Sequence, residues 1–210
     1  MKQPIGYGAN QFLADSNVSR ETFERLKTFA DLLTRWNQKI NLISRATEGD
    51  LWRRHILDSS QLVRYLPAPP GPVIDLGSGA GFPGLVLGIL GTPEVTLIEA
   101  DARKAAFLRE AARETGTPVE IIVARIERVA PRPARAVTAR AVAPLAQLLD
   151  LALPFLGPRT VGLFLKGQNL GVELTEAHKI WRMNIDRFPS QSDPSAFVVC
   201  VREVSRVQPV

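Results

Sequence analysis

The run Asp75-Leu-Gly-Ser-Gly-Ala-Gly-Phe-Pro-Gly84 constrains this chain more than any other feature, because it follows the apolar stretch Val73 to Leu76 directly and leads into a further apolar segment. Four glycines within eight residues exceed what a tight turn alone requires. They permit left-handed backbone angles and let a ligand approach main-chain amides closely. Pro83 suits the first turn of a helix, so the run predicts a strand, a glycine loop and a helix, the arrangement that holds a nucleoside at the carboxyl end of a parallel strand. Gly79-Ala-Gly81-Phe-Pro-Gly84 also satisfies the dinucleotide fingerprint, and Glu99 falls at the end of the next strand, where it can accept ribose hydroxyl hydrogens. The fingerprint alone does not choose the cofactor. Asp75, however, begins Asp-x-Gly-x-Gly-x-Gly, the pattern of methyltransferases, where dinucleotide folds usually carry an apolar residue. The loop therefore predicts S-adenosylmethionine, whose carboxylate and ammonium groups can use the loop amides and an acidic side chain, with Asp75, Gly79, Gly81 and Glu99 as cofactor contacts.

The remainder of the chain predicts an α/β fold, a doubly wound Rossmann-like sheet of seven strands. Past the break at Pro69-Pro70-Gly71, apolar runs at Val73 to Leu76, Val95 to Glu99, Val119 to Val123, Ala136 to Arg140 and Val161 to Lys166 are each expected to be followed by a helix, as in a parallel sheet covered on both faces. Trp181 to Phe188 and Phe197 to Val204 flank a Pro-Ser-Gln-Ser-Asp-Pro turn region and predict a C-terminal antiparallel hairpin at one sheet edge. That hairpin also favours a methyltransferase over a nicotinamide dehydrogenase. Before the break, residues 1–17 read as a loose arm with at most a short helical turn. A helix is expected from about Arg20 to Gln38, capped by Ser19 with Val18 stapled on Phe23. A second is expected from about Glu48 to Tyr65, with Thr47 and Asp50 in capping-box positions. The organisation expected is an N-terminal helical extension, 1–70, packed on a core of 71–210.

Composition enters mainly through what it excludes. No window approaches the length of an apolar membrane span and the first ten residues lack a signal pattern, so a cytoplasmic protein is expected. The single cysteine, Cys200, rules out an intrachain disulfide and a cysteine-ligated metal, and no metal site is expected. A net charge of +5 favours anionic partners mildly. If Arg125, Arg128, Arg132, Arg135 and Arg140 share a face with Arg53 and Arg54, they form a phosphate-binding patch. Methylation at C5 of a pyrimidine needs a thiolate, and Cys200 lies in the terminal hairpin, away from the switch point. Many methylations of exocyclic amines use an Asn- or Asp-Pro-Pro-aromatic loop after the fourth strand, where this chain has Ala139-Arg-Ala-Val-Ala-Pro144. A ring nitrogen with an exposed lone pair, such as guanine N7, needs no base and can be methylated through alignment alone. Arg140 suits binding of guanine N7 and O6, and equally a phosphate or the cofactor.

Taken together, the residues resemble the bacterial small-subunit ribosomal RNA guanine-N7 methyltransferases, the RsmG family, formerly glucose-inhibited division protein B. The resemblance covers the chain from about Leu32. It rests on Trp36-Asn37 with Asn41-Leu42, Arg54-His-Ile-Leu-Asp-Ser59, the loop from Asp75 to Gly84, Arg103-Lys104 with Phe107-Leu108, Thr138-Ala-Arg-Ala141 and Leu165-Lys-Gly-Gln168. It implies in-line methyl transfer, without a covalent intermediate, from S-adenosylmethionine to N7 of the guanine at position 527 of 16S rRNA, within the small ribosomal subunit or its precursor. By position it implies cofactor contacts at Gly77, Phe82, Ile126, Glu127 and Arg140. Glu99 stands where Asp is frequent in the family, and Phe82 where Leu or another apolar residue can stand; both keep the chemistry.

Arg140 is thus expected to position substrate or cofactor, with Lys166 and His55 as further catalytic candidates and Arg53, Arg54 and Lys166 as candidate RNA contacts. Two readings fit Arg54, His55 and Asp58: spacing alone favours a paired helix surface, and the resemblance favours a cluster facing the cleft. Lys166 reads equally as a phosphate ligand or an ordinary strand-end lysine. Trp36, Trp52 and Trp181 read as packing residues, His178 as surface, and the protein as a monomer. The functions left beside the main one are a small-molecule methyltransferase, a cofactor-binding ribosome assembly factor without catalysis and a nicotinamide-dependent oxidoreductase.

Overall fold

The computed structural model describes residues 6–207, so residues 1–5 of the expected arm and the last three residues of the core lie outside the described residues. Five short runs rich in Val, Ile, Leu and Ala form parallel strands: β1 Val73–Leu76, β2 Val95–Glu99, β3 Val119–Val123, β4 Ala136–Arg140 and β5 Val161–Lys166. β1, β2 and β5 are buried along their whole length, which requires cover on both faces. Edge strand β3 is only partly buried. A hairpin of β6 Trp181–Pro189 and β7 Phe197–Arg206 completes the sheet, with β7 antiparallel to β5 and Phe197 opposite Lys166. The spatial order is β3-β2-β1-β4-β5-β7-β6, a seven-stranded sheet with the expected antiparallel hairpin at one edge. β1 pairs in parallel with both β2 and β4, so the winding reverses between β1 and β4 and a crevice opens at their carboxyl ends.

One face is covered by α5 Gly84–Ile89 and α6 Ala102–Glu114, the other by α7 Leu145–Ala152 and α8 Leu170–His178, giving two apolar clusters on opposite sides of the sheet. The first includes the N-terminal helices. α1 Ala9–Asp15 corrects the loose-arm expectation: its Phe12 is fully buried, with its ring 5.5 Å from that of Trp52. α2 Arg20–Asn37 starts as expected, the Ser19 hydroxyl accepting from the Thr22 amide at 3.1 Å, and Phe23, Leu26, Phe29 and Leu33 form its buried face. That face lies on α5 and α6, which is why every residue of α5 is buried. Arg25 adds a polar tie, donating from Nε to the Thr115 carbonyl at 2.7 Å just beyond α6.

Two further expectations are corrected. The second helix does not run unbroken from Glu48. A single turn, α3 Arg45–Glu48, is followed by a π-helical stretch Trp52–Leu57, one α-turn Asp58–Ser60 (α4) and a 3-10 turn Gln61–Tyr65. Its capping box is absent because Asp50 pairs with the Arg53 side chain and the Thr47 hydroxyl donates to the Ser44 carbonyl. β3 is followed not by a helix but by the 3-10 turn Ile126–Arg128, since Pro131 and Pro133 lack the amides a helix needs. The tryptophans pack as expected: Trp181 is buried with its indole N–H on the Ala146 carbonyl at 3.0 Å, and Trp36 packs on Phe107. His178 is exposed.

Candidate active site

The glycine loop leaves β1 in left-handed conformation at Gly77, Gly79 and Gly81, with φ of +63°, +55° and +90°. A Cβ at Gly77 would come within 2.9 Å of Val142 Cγ2, so the loop after β4 lies directly against the loop after β1. The Ser78 amide donates to the Ile98 carbonyl at 3.0 Å, and the Gly79 amide to Glu99 Oε2 at 2.8 Å. Glu99 Oε1 accepts from the Asp101 amide at 2.7 Å, so the carboxylate expected to meet the ribose braces the glycine loop through one oxygen and the turn into α6 through the other. Asp75 is fully buried beneath the loop, accepting from the Thr138 hydroxyl at 2.6 Å. Burial pushes its carboxyl up to about 6 against the pull of that hydrogen bond. Its side chain supports the loop from below. Ile126 is half-buried and Glu127 exposed in the turn after β3, next to the end of β2, where the Ala124 amide donates to the Glu99 carbonyl.

Across the crevice, the end of β4 carries Arg140. Its guanidinium carbon lies 5.6 Å from the centre of the Phe82 ring, and Nη2 is 2.9 Å from His55 Nδ1. Because an arginine only donates, Nδ1 accepts, and the histidine proton resides on Nε2, which is buried with no partner among the described residues. Burial, reinforced by the charges of Arg140 and Arg54, lowers His55 to about 3 and keeps it neutral. The His55 ring is 5.0 Å from that of Phe82. Burial also lowers the pKa of Arg140, with Asp58 opposing and Arg54 reinforcing the shift. Arg140 Nη1 is buried without a partner among the described residues, and the guanidinium Nε lies 3.7 Å from Asp58 Oδ2. Asp58 in turn takes hydrogen bonds on Oδ1 from Gln61, Ser190 and Ser192. His55 and Asp58 thus lie against Arg140, and Arg54 and Asp58 line the crevice beside it.

A cavity of about 600 Å³ opens here, lined among others by Arg54, Asp58, Arg140, Lys166, Glu173 and Ser192. Its volume suits a nucleotide. Ala141, at φ +53°, starts its floor in a conformation unusual for a residue with a Cβ, a kind of strain that concentrates at functional sites. Lys166 Nζ donates to the Ala143 carbonyl at 2.7 Å and pairs with Glu173 at 2.7 Å, and the same Glu173 oxygen accepts from the Leu145 amide. The lysine thus fixes the loop after β4. Arg54 pairs with Asp193, and Arg53, more exposed, with Asp50. Arg53 does not line the cavity.

The expected single basic face is not formed. Arg132 pairs with Glu120, and Arg135 reaches the Ala68 and Pro69 carbonyls at the amino ends of the strands, whereas Arg140 ends β4. A five-residue strand separates Arg135 from Arg140 by roughly 15 Å, on opposite rims of the sheet. Sequence reading also missed the loop 190–196. Ser190 and Ser192 bind Asp58 across more than 130 residues, and no local spacing signals such a contact. Cys200 is buried in β7 opposite Leu163, with burial pushing its thiol up to about 11, so it supplies no thiolate. Among the described residues no helix is long and apolar enough to cross a membrane, and no group of three or more His, Cys, Asp or Glu is placed to hold a metal ion.

Solved structures share this architecture. The chain superposes on a putative O-methyltransferase from Klebsiella pneumoniae with a TM-score of 0.63 at 14% identity, covering 92% of this chain and 95% of that one. It also matches M. jannaschii TYW2 in complex with AdoMet, with a TM-score of 0.53 at 18% identity over 72% of this chain and 77% of that one. Strand order, glycine loop and crevice thus define a Rossmann-like fold of the methyltransferase class. The family model for rRNA small subunit methyltransferase G matches residues 22–194. Proteins named ribosomal RNA small subunit methyltransferase G are 52% identical in Rhodospirillum rubrum (93% of this chain, 97% of that protein) and 50% identical in Gluconobacter oxydans (91% and 99%). The chain belongs to the rRNA small subunit methyltransferase G family.

Proposed function

We propose that this protein transfers a methyl group from S-adenosylmethionine to N7 of a guanine in 16S rRNA, position 527 by the family resemblance, by direct in-line displacement. The observation that carries this reading is the placement of Arg140. It is half-buried between Phe82 of the glycine loop and the 600 Å³ cavity, with Nη1 covered and free of protein partners among the described residues.

The cradle fits the cofactor. Gly77 lets the loop pass close under Val142, and although the Ser78, Gly79, Gly81 and Phe82 amides already donate within the protein, the loop's backbone at the carboxyl end of β1, with Glu99, Ile126 and Glu127 along the neighbouring strand ends, offers the close main-chain approach, acceptors and apolar contact a nucleoside requires. When bound, the cofactor supplies a methyl group activated by its sulfonium. The protein's own contribution is alignment and electrostatics. N7 must keep its lone pair for attack, so Arg140 donates to guanine O6 and leaves N7 free. No base is needed, which agrees with a neutral His55 whose Nδ1 is already engaged. The methylated purine carries a positive charge, and Asp58, Glu173 and Asp193 around the cavity favour it.

Arg54 and Lys166 at the cavity and Arg53 outside it contact RNA phosphates, exchanging their present carboxylate partners for them. Residues 1–70 serve as an extension that completes the substrate side of a core formed by 71–210, and the protein acts as a cytoplasmic monomer on the small subunit or its precursor. Labelled methyl transfer to purified small ribosomal subunits, followed by mapping of the modified base, tests the reading. Label on guanine N7, lost by at least about 100-fold in Arg140→Ala with the fold intact, is the expected result. Cofactor binding without label on any RNA would refute it.

A further inference from the structure

We propose that Asp58 is a positioning residue for the reaction: its carboxylate sets the orientation of the Arg140 guanidinium, and the loop 190–196 between β6 and β7 clasps Asp58 in place. The inference rests on the methyl-transfer reading above.

Asp58 is buried, and its two oxygens have separate tasks. Oδ1 accepts from Gln61 Nε2 at 2.9 Å, Ser190 Oγ at 3.0 Å and Ser192 Oγ at 2.6 Å, which exhausts its capacity as an acceptor. Oδ2 is left facing Arg140 Nε at 3.7 Å, too far for a hydrogen bond and close enough to act as a fixed negative charge. A guanidinium is rigid and planar, so two anchors determine where its third nitrogen lies. Here Asp58 faces the Nε edge as a fixed charge and His55 holds Nη2, which together set the guanidinium plane; Nε and the covered Nη1 have no hydrogen-bond partner among the described residues. Arg140 lines the substrate cavity, and it meets the base through a guanidinium whose plane Asp58 helps to set.

The loop that holds Asp58 also borders the substrate cavity, through Ser192, Asp193 and Ser195. It is tied to the same helical turn twice more, by the Gln191 amide on Gln61 Oε1 at 3.0 Å and by Arg54 on Asp193. Polar ties this numerous hold the hairpin tip against the residues that orient Arg140. RNA that touches the loop therefore bears on the guanidinium through a single carboxylate.

The experiment uses the full chain and purified small subunits, and measures single-turnover methyl transfer at saturating cofactor and subunit, cofactor affinity by calorimetry and the thermal midpoint. Asp58→Asn keeps the side-chain shape and an oxygen for the loop donors while removing the charge. We expect its saturated rate to fall at least about tenfold, with cofactor affinity within about twofold and subunit KM within about threefold of wild type. A saturated rate within threefold of wild type overturns the proposal. So does a loss that appears wholly as weaker cofactor or subunit binding, because that is the mark of a merely structural residue. Ser192→Ala removes the shortest bond to Oδ1 and decides the matter if Asp58→Asn does not fold: a rate lowered about threefold at unchanged cofactor affinity supports the proposal, and an unchanged rate overturns it. A wild type that labels no RNA brings down both this proposal and the reading beneath it, whereas an active wild type with an equally active Asp58→Asn brings down this proposal alone.

Discussion

At the residue scale, the site is governed by side chains whose charge the fold controls. His55 is held neutral, near a pKa of about 3, by burial and by the two arginines beside it, whereas in the unfolded chain it titrates at its ordinary value of 6.5. The unfolded state therefore takes up the proton first, and the stability linked to a neutral His55 is complete above pH 6.5 and is lost as pH falls toward 3. Asp75 has the opposite sign. Its folded pKa of about 6 lies above the ordinary value of 3.8, so its contribution is complete below about pH 4 and is lost as pH rises through 6. Between about pH 4 and 6 the two slopes oppose one another. In urea unfolding, His55→Gln is expected to be less sensitive than wild type to acidification from pH 7.5 to 6, a comparison in which the Asp75 contribution is common to both proteins; equal slopes would mean that His55 protonates freely in the folded protein. The Asp75, Gly77 and Arg140 positions were readable from sequence because each follows from a local rule: a motif register, or the last residue of a strand. That Asp75 supports the loop from below, and that Glu99 is engaged by two amides, depends on side-chain direction, which the motif does not carry.

At the scale of elements, the glycine loop and its neighbour after β4 form one unit, since Gly77 has room only for a hydrogen where Val142 approaches. Gly77→Ala combines a left-handed backbone with a 2.9 Å contact, so it is expected to cost about 1–3 kcal/mol of stability and to weaken cofactor binding at least about tenfold. Gly91 is a control. Its φ of +94° imposes backbone strain, but a Cβ there meets no described atom within 4 Å, so Gly91→Ala should lower stability while leaving cofactor affinity unchanged. Calorimetry on both variants checks this, and equal affinities would show that the Gly77 contact is irrelevant to the cradle. The parallel strands were readable because fully buried strands carry continuous apolar runs, and the hairpin because its strands flank a Pro- and Ser-rich turn. The π-helical stretch and the bare turn after β3 were not. Both depend on how the backbone meets its neighbours, although Pro131 and Pro133 already argued against a helix in the latter.

At the scale of the whole molecule, the N-terminal helices share an apolar cluster with α5 and α6, and α1 is joined to it through Phe12. Phe12→Ala empties a fully buried position between α1 and Trp52 and is expected to cost about 3–5 kcal/mol in chemical denaturation. A loss below about 1 kcal/mol would mean that α1 rides on the surface and contributes little to the core. The sequence by itself determined the parallel sheet with its terminal hairpin, the glycine loop that serves the cofactor and the family resemblance. Each of these is written in residues close together along the chain, as periodicity, turn chemistry or a motif. Only the tertiary structure decided which cations stand alone and which are paired. It placed Arg132 and Arg135 on the rim opposite Arg140, gave Lys166 to Glu173, and brought Arg140 to His55 across 85 positions and Asp58 to Ser192 across 134. Such contacts arise where β4, the N-terminal turn and the hairpin tip converge on one crevice, and strand order, not proximity in sequence, determines that convergence.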